Sequence, residues 1–361
     1  MEELKKRTGA DTVLSVMSGN FTQRGLPAFQ DKWTRAEAAV RGGVDLVLEM
    51  PAVYASAASP GFCMAGVSIA AQLGCTDYIG FGSESGSIQE LTEAAENLIR
   101  LEKPLHERIA MYRKQGFSYP RAQQQAALDL GVTGGGSVLS EPNNLLAVEY
   151  MRQILQLSGD IRPAAVTVRR ESGDYHASAS AIRRKAYQED PQYYQQCEDR
   201  YFRLAAARIL QMSERELENI ASSSDGLGNK LKKEIRHCGS LQELLERVKS
   251  KAYTMTRVQR MLTQCILGVT GEDMRNCRLY ARVLAFSAQG AKLLKHIRKS
   301  DCSRIPVITN LNKEAHRYPE IRRSLEIDVL AADLYHLITG EDLYERADYV
   351  RHPAYVRKNI E

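Results

Sequence analysis

The first half of the chain alternates short apolar runs with helical patterns, and this alternation constrains the fold more than any other feature. Runs rich in aliphatic and β-branched residues predict strands at 13–17, 44–49, 77–81 and 164–169. Helical periodicity between them predicts helices at 33–41, 61–73, 88–101, 105–130 and 145–157. Strands joined by helices over short connections indicate a parallel sheet with right-handed crossovers, so we expect an α/β domain.

Beyond about residue 190 the strand signal fades. Apolar residues recur with helical spacing at 201–212, 241–248, 256–267 and 279–296, and a short α/β-like fragment follows at 305–309. We therefore expect two domains, an α/β domain over residues 1–190 and a mainly α-helical domain over residues 191–361.

The composition is that of an ordinary globular protein and excludes several classes. No apolar run approaches the roughly 20 residues of a membrane helix, and the charged N-terminus lacks a signal-peptide core, so we expect a cytoplasmic protein without membrane contact. The seven cysteines include no Cys-x-x-Cys pair and the seven histidines are dispersed, so we predict neither a disulfide framework nor a protein-bound metal. A net charge of +5 does not by itself establish nucleic-acid binding.

Four loops of the first half carry residues suited to phosphate binding. The first runs from Ser18 to Gly25, includes Arg24, and is followed by Lys32 and Arg35. A strand that ends there brings its loop to the carboxyl edge of the sheet, where α/β proteins bind ligands. Glycine would let the backbone approach a phosphate and Arg24 would donate to it, although an ordinary strand-to-helix connection explains the loop equally well.

The second and third loops are Gly82-Ser83-Glu84, after the third strand, and Asn143-Asn144, ahead of a helix. Gly82 would let adenine or ribose pack against the backbone, and Glu84 would accept from hydroxyls, whereas the alternative is a plain turn. We expect one asparagine to cap the helix, which leaves the other to bind a ligand at the positive helix end.

The fourth loop is the most specific. Arg169-Arg170 ends the last strand of this half, and a serine-rich turn with Ser180 opens a helix that carries Arg183 in its first turn. Hydroxyl, backbone N–H and guanidinium donors that converge in this way predict a phosphate site. The sequence has no Walker A loop, no Gly-x-Gly-x-x-Gly, no Gly-x-Ser-x-Gly and no nucleophile with a nearby base. We therefore predict nucleotide binding with little acid–base machinery and assign no catalytic residue.

Two basic stretches lie in the second half, and the second of them includes an aromatic residue, Tyr253. The cations that we assign to RNA are Lys230, Lys232, Lys233, Arg257 and Arg260. Arg257 and Arg260 are three residues apart and so share a helix face. Such a surface is suited to an RNA backbone, although a solvated charged face explains it as well.

Several strings of the sequence resemble the bacterial tRNA(Met) cytidine acetate ligase family. They are MSGNFTQRGLPA, DKWTRAEAAVRGGVDLVLEMP, FGSE, EPNNLLAVEY, VRRESGDYH and SASAIR in the first half, and GLGNKL, YTMTR and IPVIT in the second. The resemblance spans nearly the whole chain, and several of the strings are long and specific.

This resemblance implies a Rossmann-like nucleotidyltransferase domain followed by a mainly helical, tRNA-binding domain. It further implies that ATP activates acetate as acetyl-adenylate, and that the acetyl group passes to N4 of the wobble cytidine of elongator tRNA(Met). ATP chemistry makes Mg²⁺ the expected companion of the nucleotide. The residues that it assigns to ATP are Gly82, Asn143, Arg169 and Arg170, with Ser180 and Arg183 matching the serine–arginine phosphate motif of the wider superfamily.

The sequence departs from the family pattern at its N-terminus. The family has a first strand and an Asn-Pro-Phe-His-x-Gly-His type loop whose histidines meet the ATP phosphates, whereas the first histidine here is His106. A smaller departure is His176-Ala177, where an acidic residue is expected after the histidine. We expect the reading frame to begin upstream of Met1 and to restore a central first strand. Two alternatives stay open: another adenylyltransferase with a small-molecule acceptor, and a catalytically impaired protein that binds tRNA or nucleotide.

Overall fold

The computed structural model describes residues 2–132, 138–170, 185–343 and 347–357. Its strands are β1 (Leu14–Ser18), β2 (Leu46–Met50), β3 (Tyr78–Ser83), β4 (Ala164–Arg169), β5 (Ala281–Phe286), β6 (Val307–Ile308) and β7 (Ala354–Tyr355). The helices before residue 190 are α1 (Glu2–Thr8), α2 (Lys32–Arg41), α3 (Ala52–Ala55), α4 (Ser59–Gln72), α5 (Ile88–Arg100), α6 (Glu102–Lys114), α7 (Tyr119–Asp129) and α8 (Pro142–Gln156).

The helices after residue 190 are α9 (Pro191–Gln211), α10 (Glu214–Asn219), α11 (Leu227–Glu234), α12 (Leu241–Val248), α13 (Met255–Leu267), α14 (Gly271–Asn276), α15 (Ala288–Ser300), α16 (Leu311–Glu314), α17 (Arg322–Thr339) and α18 (Ala347–Val350). No helix of the described residues is long and apolar enough to cross a membrane.

The strands form two sheets. The larger has the order β1-β2-β5-β6, with β7 pairing β5, and the smaller consists of β3 and β4. β1 and β2 are parallel, with Leu14 opposite Leu46, and β3 and β4 are parallel, with Tyr78 opposite Ala164. The expected α/β fold with parallel strands and crossover helices is confirmed, but the larger sheet is mixed because β5 runs antiparallel to β2.

Two helix predictions were wrong in part. The single helix expected at 105–130 is two helices, α6 and α7, because Gly116 adopts a left-handed φ of +86° between them. The helix expected at 279–296 begins with the strand β5, whose residues 281–285 are buried. A fully buried strand is apolar on both faces, so periodicity does not separate it from a buried helix.

The strand pairing crosses the expected domain boundary at residue 190. β5, β6 and β7 all come from the second half of the chain and complete the sheet that β1 and β2 begin. The largest core cluster likewise joins Leu48 of β2 to Val283 of β5 and to Tyr201 of α9. The division into domains 1–190 and 191–361 stays a prediction, and the sheet belongs to both halves.

A cavity of about 600 Å³ lies between the two sheets. Leu14 and Val16 of β1 line one side of it, and Ile79 and Phe81 of β3 line the other. Within the described residues, β1 pairs only with β2 and β3 pairs only with β4, so each presents one unpaired edge. Two strand edges therefore meet at a cavity that apolar and polar side chains line together.

Candidate nucleotide site and basic surface

Gly82, Asn143 and Arg170 meet at one end of this cavity and all three line it. Gly82 belongs to β3, Arg170 directly follows β4, and Asn143 lies in the first turn of α8. Arg170 Nη1 donates to Asn143 Oδ1 at 2.8 Å. A Cβ atom on Gly82 would clash with the Arg170 side chain, so the glycine is what lets the guanidinium lie along the strand. Three of the six predicted ATP residues thus share one site.

Of the other three predicted ATP residues, Arg169 does not join this group. Arg169 is exposed, and its side chain lies against Gly86 rather than Gly82. Consecutive residues of an extended chain point to opposite sides, which separates Arg169 from Arg170. Ser180 and Arg183 lie outside the described residues.

Glu84 and the two asparagines form a reciprocal clamp between the β3 loop and α8. The Glu84 carboxylate accepts from Asn143 N at 3.1 Å, Asn143 Nδ2 at 2.6 Å and Asn144 N at 2.7 Å. Asn144 Oδ1 in turn accepts from the backbone N–H groups of Glu84 and Ser85, at 2.9 and 3.1 Å. The expectation that an asparagine caps α8 was wrong: Glu84 satisfies the first N–H groups of the helix, and its charge suits the positive helix end.

The loop from Ser18 to Gly25 is held by protein contacts that sequence reasoning missed. A Cβ on Gly19 would clash with the Glu49 carboxylate, so this glycine makes room for a protein side chain. Arg35 Nη2 donates to the carbonyl oxygens of Ser18, at 3.1 Å, and of Gly19. Arg35, expected near a phosphate, is therefore engaged in holding the end of β1.

The far end of this loop rests on α13. Gly25 has a left-handed φ of +74°, and a Cβ there would clash with the backbone at Arg260. Thr263 Oγ1 donates to the Gly25 carbonyl at 3.1 Å, and Tyr201 Oη lies 3.4 Å from the same oxygen. Arg24 beside them is exposed. The loop thus connects the α/β half directly to the helix that carries the predicted RNA-binding arginines.

A buried ionic network lies beneath the same loop. Lys32 Nζ donates to both carboxylate oxygens of Glu49, at 2.8 and 2.9 Å, and to Asp348 at 2.9 Å. Arg282 Nη1 donates to Asp348 at 2.7 Å, and the cations of Lys32 and Arg282 both lie within 5.6 Å of the Trp33 ring centre. Burial alone would raise the pKa of Asp348, but the charges of Arg282 and Lys32 outweigh it and hold that pKa below its usual range. Lys32, which we expected near a phosphate, instead has its charge neutralised by the two carboxylates of this network.

The three lysines predicted to bind RNA differ in their availability. Lys230 Nζ donates to the carbonyl of Val248 at 2.9 Å, and Lys232 Nζ donates to the carbonyl of Met212. Lys233 is exposed. A carbonyl acceptor leaves the positive charge of a lysine uncompensated, so all three still contribute to a positive surface.

The two arginines of α13 are more buried than a solvated face would be. Arg257 Nη2 donates to the Ser224 carbonyl at 2.8 Å and to Asp225 at 3.0 Å, and its guanidinium lies 5.4 Å from the Tyr253 ring centre. Arg257 Nη1 and Arg260 Nε are buried without a hydrogen-bond acceptor among the described residues. Burial and, after it, the charge of Arg257 lower the pKa of Arg260 to about 10.

The comparisons with known proteins decide the family. The model for the family described as HIGH Nucleotidyl Transferase matches residues 1–348. The chain is 32% identical over 394 residues to the tRNA(Met) cytidine acetate ligase of Clostridium perfringens, covering 99% of this chain and 95% of that protein. The chain belongs to the tRNA(Met) cytidine acetate ligase family.

Further family members match this chain over most of their length and share its fold. The tRNA(Met) cytidine acetate ligase of Acetivibrio thermocellus is 30% identical over 391 residues, which cover 96% of this chain and 92% of that protein. The crystal structure of Thermotoga maritima TmcAL bound with α-thio-ATP superposes with a TM-score of 0.86 at 26% identity, covering 99% of this chain and 95% of that one. The nucleotidyltransferase-type fold expected from the sequence is thereby confirmed for this family member.

Proposed function

We propose that this protein is an ATP-dependent ligase that forms N4-acetylcytidine at the wobble position of elongator tRNA(Met). An acetate oxygen attacks the α-phosphorus of ATP and pyrophosphate leaves, and the cytidine N4 then attacks the acetyl carbonyl and AMP leaves. The observation that carries the proposal is the meeting of Gly82, Asn143 and Arg170 at one cavity, in a family whose Thermotoga maritima member was crystallised with α-thio-ATP. Because its proposed substrate is a tRNA, we place the reaction in the cytoplasm.

The three clustered residues have distinct roles in this proposal. Arg170 brings a forked, permanently charged donor group to the cavity, which suits phosphate oxygens and the charge that develops on them. Asn143 orients that guanidinium through its Oδ1, while Glu84 fixes the asparagine from the other side. Gly82 keeps the strand surface open, both for Arg170 and for a flat ligand group.

The remaining ATP contacts rest on the resemblance. We assign Arg169, Ser180 and Arg183 to the phosphates on that basis, and we expect Mg²⁺ to arrive with ATP as its counterion. No group of three or more His, Cys, Asp or Glu side chains that could hold a metal ion occurs within the described part of the chain.

The unpaired edges of β1 and β3 bear on the strand expected upstream of Met1. A strand seated in the cavity between them would pair with both edges and join the two sheets into one. The family resemblance implies that such a strand carries the histidine loop that meets the ATP phosphates. The upstream segment stays a prediction, and its loss would produce the catalytically impaired alternative.

The basic surface favours an RNA acceptor over a small molecule. Lys233 is exposed, Lys230 and Lys232 donate to carbonyl oxygens, and Arg257 shares its carboxylate partner with a second arginine. An enzyme with a small acceptor has no use for this excess of positive charge, whereas a polyanion is attracted by it. We therefore retain these residues, with Arg260, as the proposed tRNA contacts.

The decisive experiment is mass spectrometry of elongator tRNA(Met) after incubation with ATP, acetate and the protein. It should compare this chain with one extended upstream in the genomic frame. We expect N4-acetylcytidine and pyrophosphate with the extended chain, and a loss of both with Arg170→Ala. Pyrophosphate release that does not depend on acetate, without any acetylated cytidine, would identify another adenylyltransferase instead.

A further inference from the structure

A second cavity lies on the outside of the molecule, between the α6–α7 turn and the segment that precedes α13. Its volume is about 430 Å³. Phe117, Ser118 and Arg121 line it from the first half of the chain, and Lys249, Lys251 and Thr254 line it from the second half. We call this cavity the inter-half groove. None of the sequence motifs discussed above includes its first-half wall.

The charge of the inter-half groove is of one sign. Its ten lining residues include three cations, Arg121, Lys249 and Lys251, and no carboxylate. All three are exposed, and none of them forms an ion pair within the described part of the chain. The guanidinium carbon of Arg121 lies over the Phe117 ring, 4.6 Å from the ring centre, and this cation–π contact favours its position at the groove. Three unneutralised cations around one concave surface attract an anion with several charges.

The groove continues into the basic end of α13. Asp225 accepts from both Arg113 of α6 and Arg257 of α13, so one carboxylate is shared by two guanidinium groups and the local charge stays positive. Arg260, one turn further along, leads to the loop at Gly25. A series of cations therefore runs from the groove, through Arg257 and Arg260, to the loop at Gly25.

We propose that the inter-half groove binds successive backbone phosphates of the tRNA, and that Arg121, Lys249 and Lys251 contact them. This inference rests on the proposed function and adds a wall from the first half of the chain to the tRNA surface. A polynucleotide fits the groove better than a single phosphate does, because the cations are spread over both walls and lie in open solvent. Sequence-independent contacts of this kind position an RNA without reading its bases.

The test is a comparison of two triple variants of the full chain. Arg121→Ala/Lys249→Ala/Lys251→Ala removes the groove cations, and Lys292→Ala/Lys295→Ala/Lys299→Ala removes three exposed lysines of α15 as a control of equal charge. Affinity for elongator tRNA(Met) is measured by filter binding at four or more salt concentrations, ATP binding by calorimetry, and folding by thermal melting.

We expect the groove variant to lose roughly tenfold or more in tRNA affinity. We also expect the slope of its log Kd against log salt concentration to become shallower by about two to three, because each lost phosphate contact removes nearly one unit of slope. ATP affinity and the melting temperature should stay at the wild-type values, and the control should bind tRNA like the wild type. If the wild type binds tRNA and the groove variant binds it equally well, the groove proposal is overturned and the proposed function is not. A fall in affinity shared equally by the control, or without any change of slope, would overturn the groove proposal as well. No tRNA binding by the wild type would overturn the proposed function and the groove together.

Discussion

At the scale of single residues, Gly82 is the position where an added side chain would disturb the candidate site most directly. A methyl group there meets the movable Arg170 side chain and not the backbone, so Gly82→Ala should displace the guanidinium and leave the fold intact. Loss of one charge-assisted hydrogen bond to a phosphate costs ~1.5–3 kcal/mol, so we expect ATP affinity to fall at least tenfold in calorimetry, with the melting temperature nearly unchanged. Gly159→Ala, where a Cβ meets no atom within 4 Å, is the matched control. If Gly82→Ala binds ATP with the affinity of the wild type, Arg170 does not contribute to ATP binding.

Among the single substitutions considered, we expect a change at Lys32 to cause the largest loss in the free energy of unfolding. Its side chain is 1% exposed and neutralises Glu49 and Asp348, which are 3% and 2% exposed. Lys32→Met would leave two buried carboxylates to share Arg282, and breaking a buried pair in this way costs ~3–5 kcal/mol. We expect a loss of that size in urea unfolding, whereas Arg41→Met, which breaks an exposed pair with Glu37, should cost less than about 0.5 kcal/mol. Equal effects of the two substitutions would contradict the network.

At the scale of elements, the loop after β1 shows what a sequence pattern can and cannot predict. The strand, its end at Ser18 and the following helix were all predictable, because apolar runs and their punctuation are local. The partners of the loop were not, since Glu49, Arg260 and Thr263 approach from other parts of the chain. A glycine that makes room for a phosphate and one that makes room for a protein group look alike in sequence.

Gly25 tests the contact between this loop and α13. Any L-residue at its positive φ is strained by ~1–2 kcal/mol, and at Gly25 a Cβ also clashes with the helix backbone at Arg260, which no rotamer change relieves. Gly268 has a similar φ of +64° but open space around it. We expect Gly25→Ala to lower the free energy of unfolding by more than twice the effect of Gly268→Ala, and to weaken tRNA binding as α13 shifts. Equal losses in urea unfolding would mean that the close approach to α13 is not needed.

At the scale of the whole molecule, the sequence indicated the class of fold but not the way the two halves combine. The helical character of the second half was visible, because helical periodicity dominates it. The strand β5 was not, because a buried central strand has no alternation of polar and apolar residues. Its antiparallel pairing with β2 is a long-range contact across more than 230 residues, and no local pattern encodes it. The element that the sequence did not reveal, β5, is therefore the one that joins strands from both halves into the larger sheet.

This shared sheet predicts that the first half does not fold alone. A fragment of residues 2–190 would expose the β2 edge that pairs with β5, together with the faces of Leu46, Leu48 and Met50 that pack in the same core as Val283. We expect that fragment to lack a cooperative thermal transition and dispersed amide resonances, and to regain both when it is refolded with residues 191–361. The full chain provides the reference spectrum. A fragment that melts cooperatively and binds ATP by itself would show that residue 190 is a true domain boundary, and that β5 closes a sheet already stable without it.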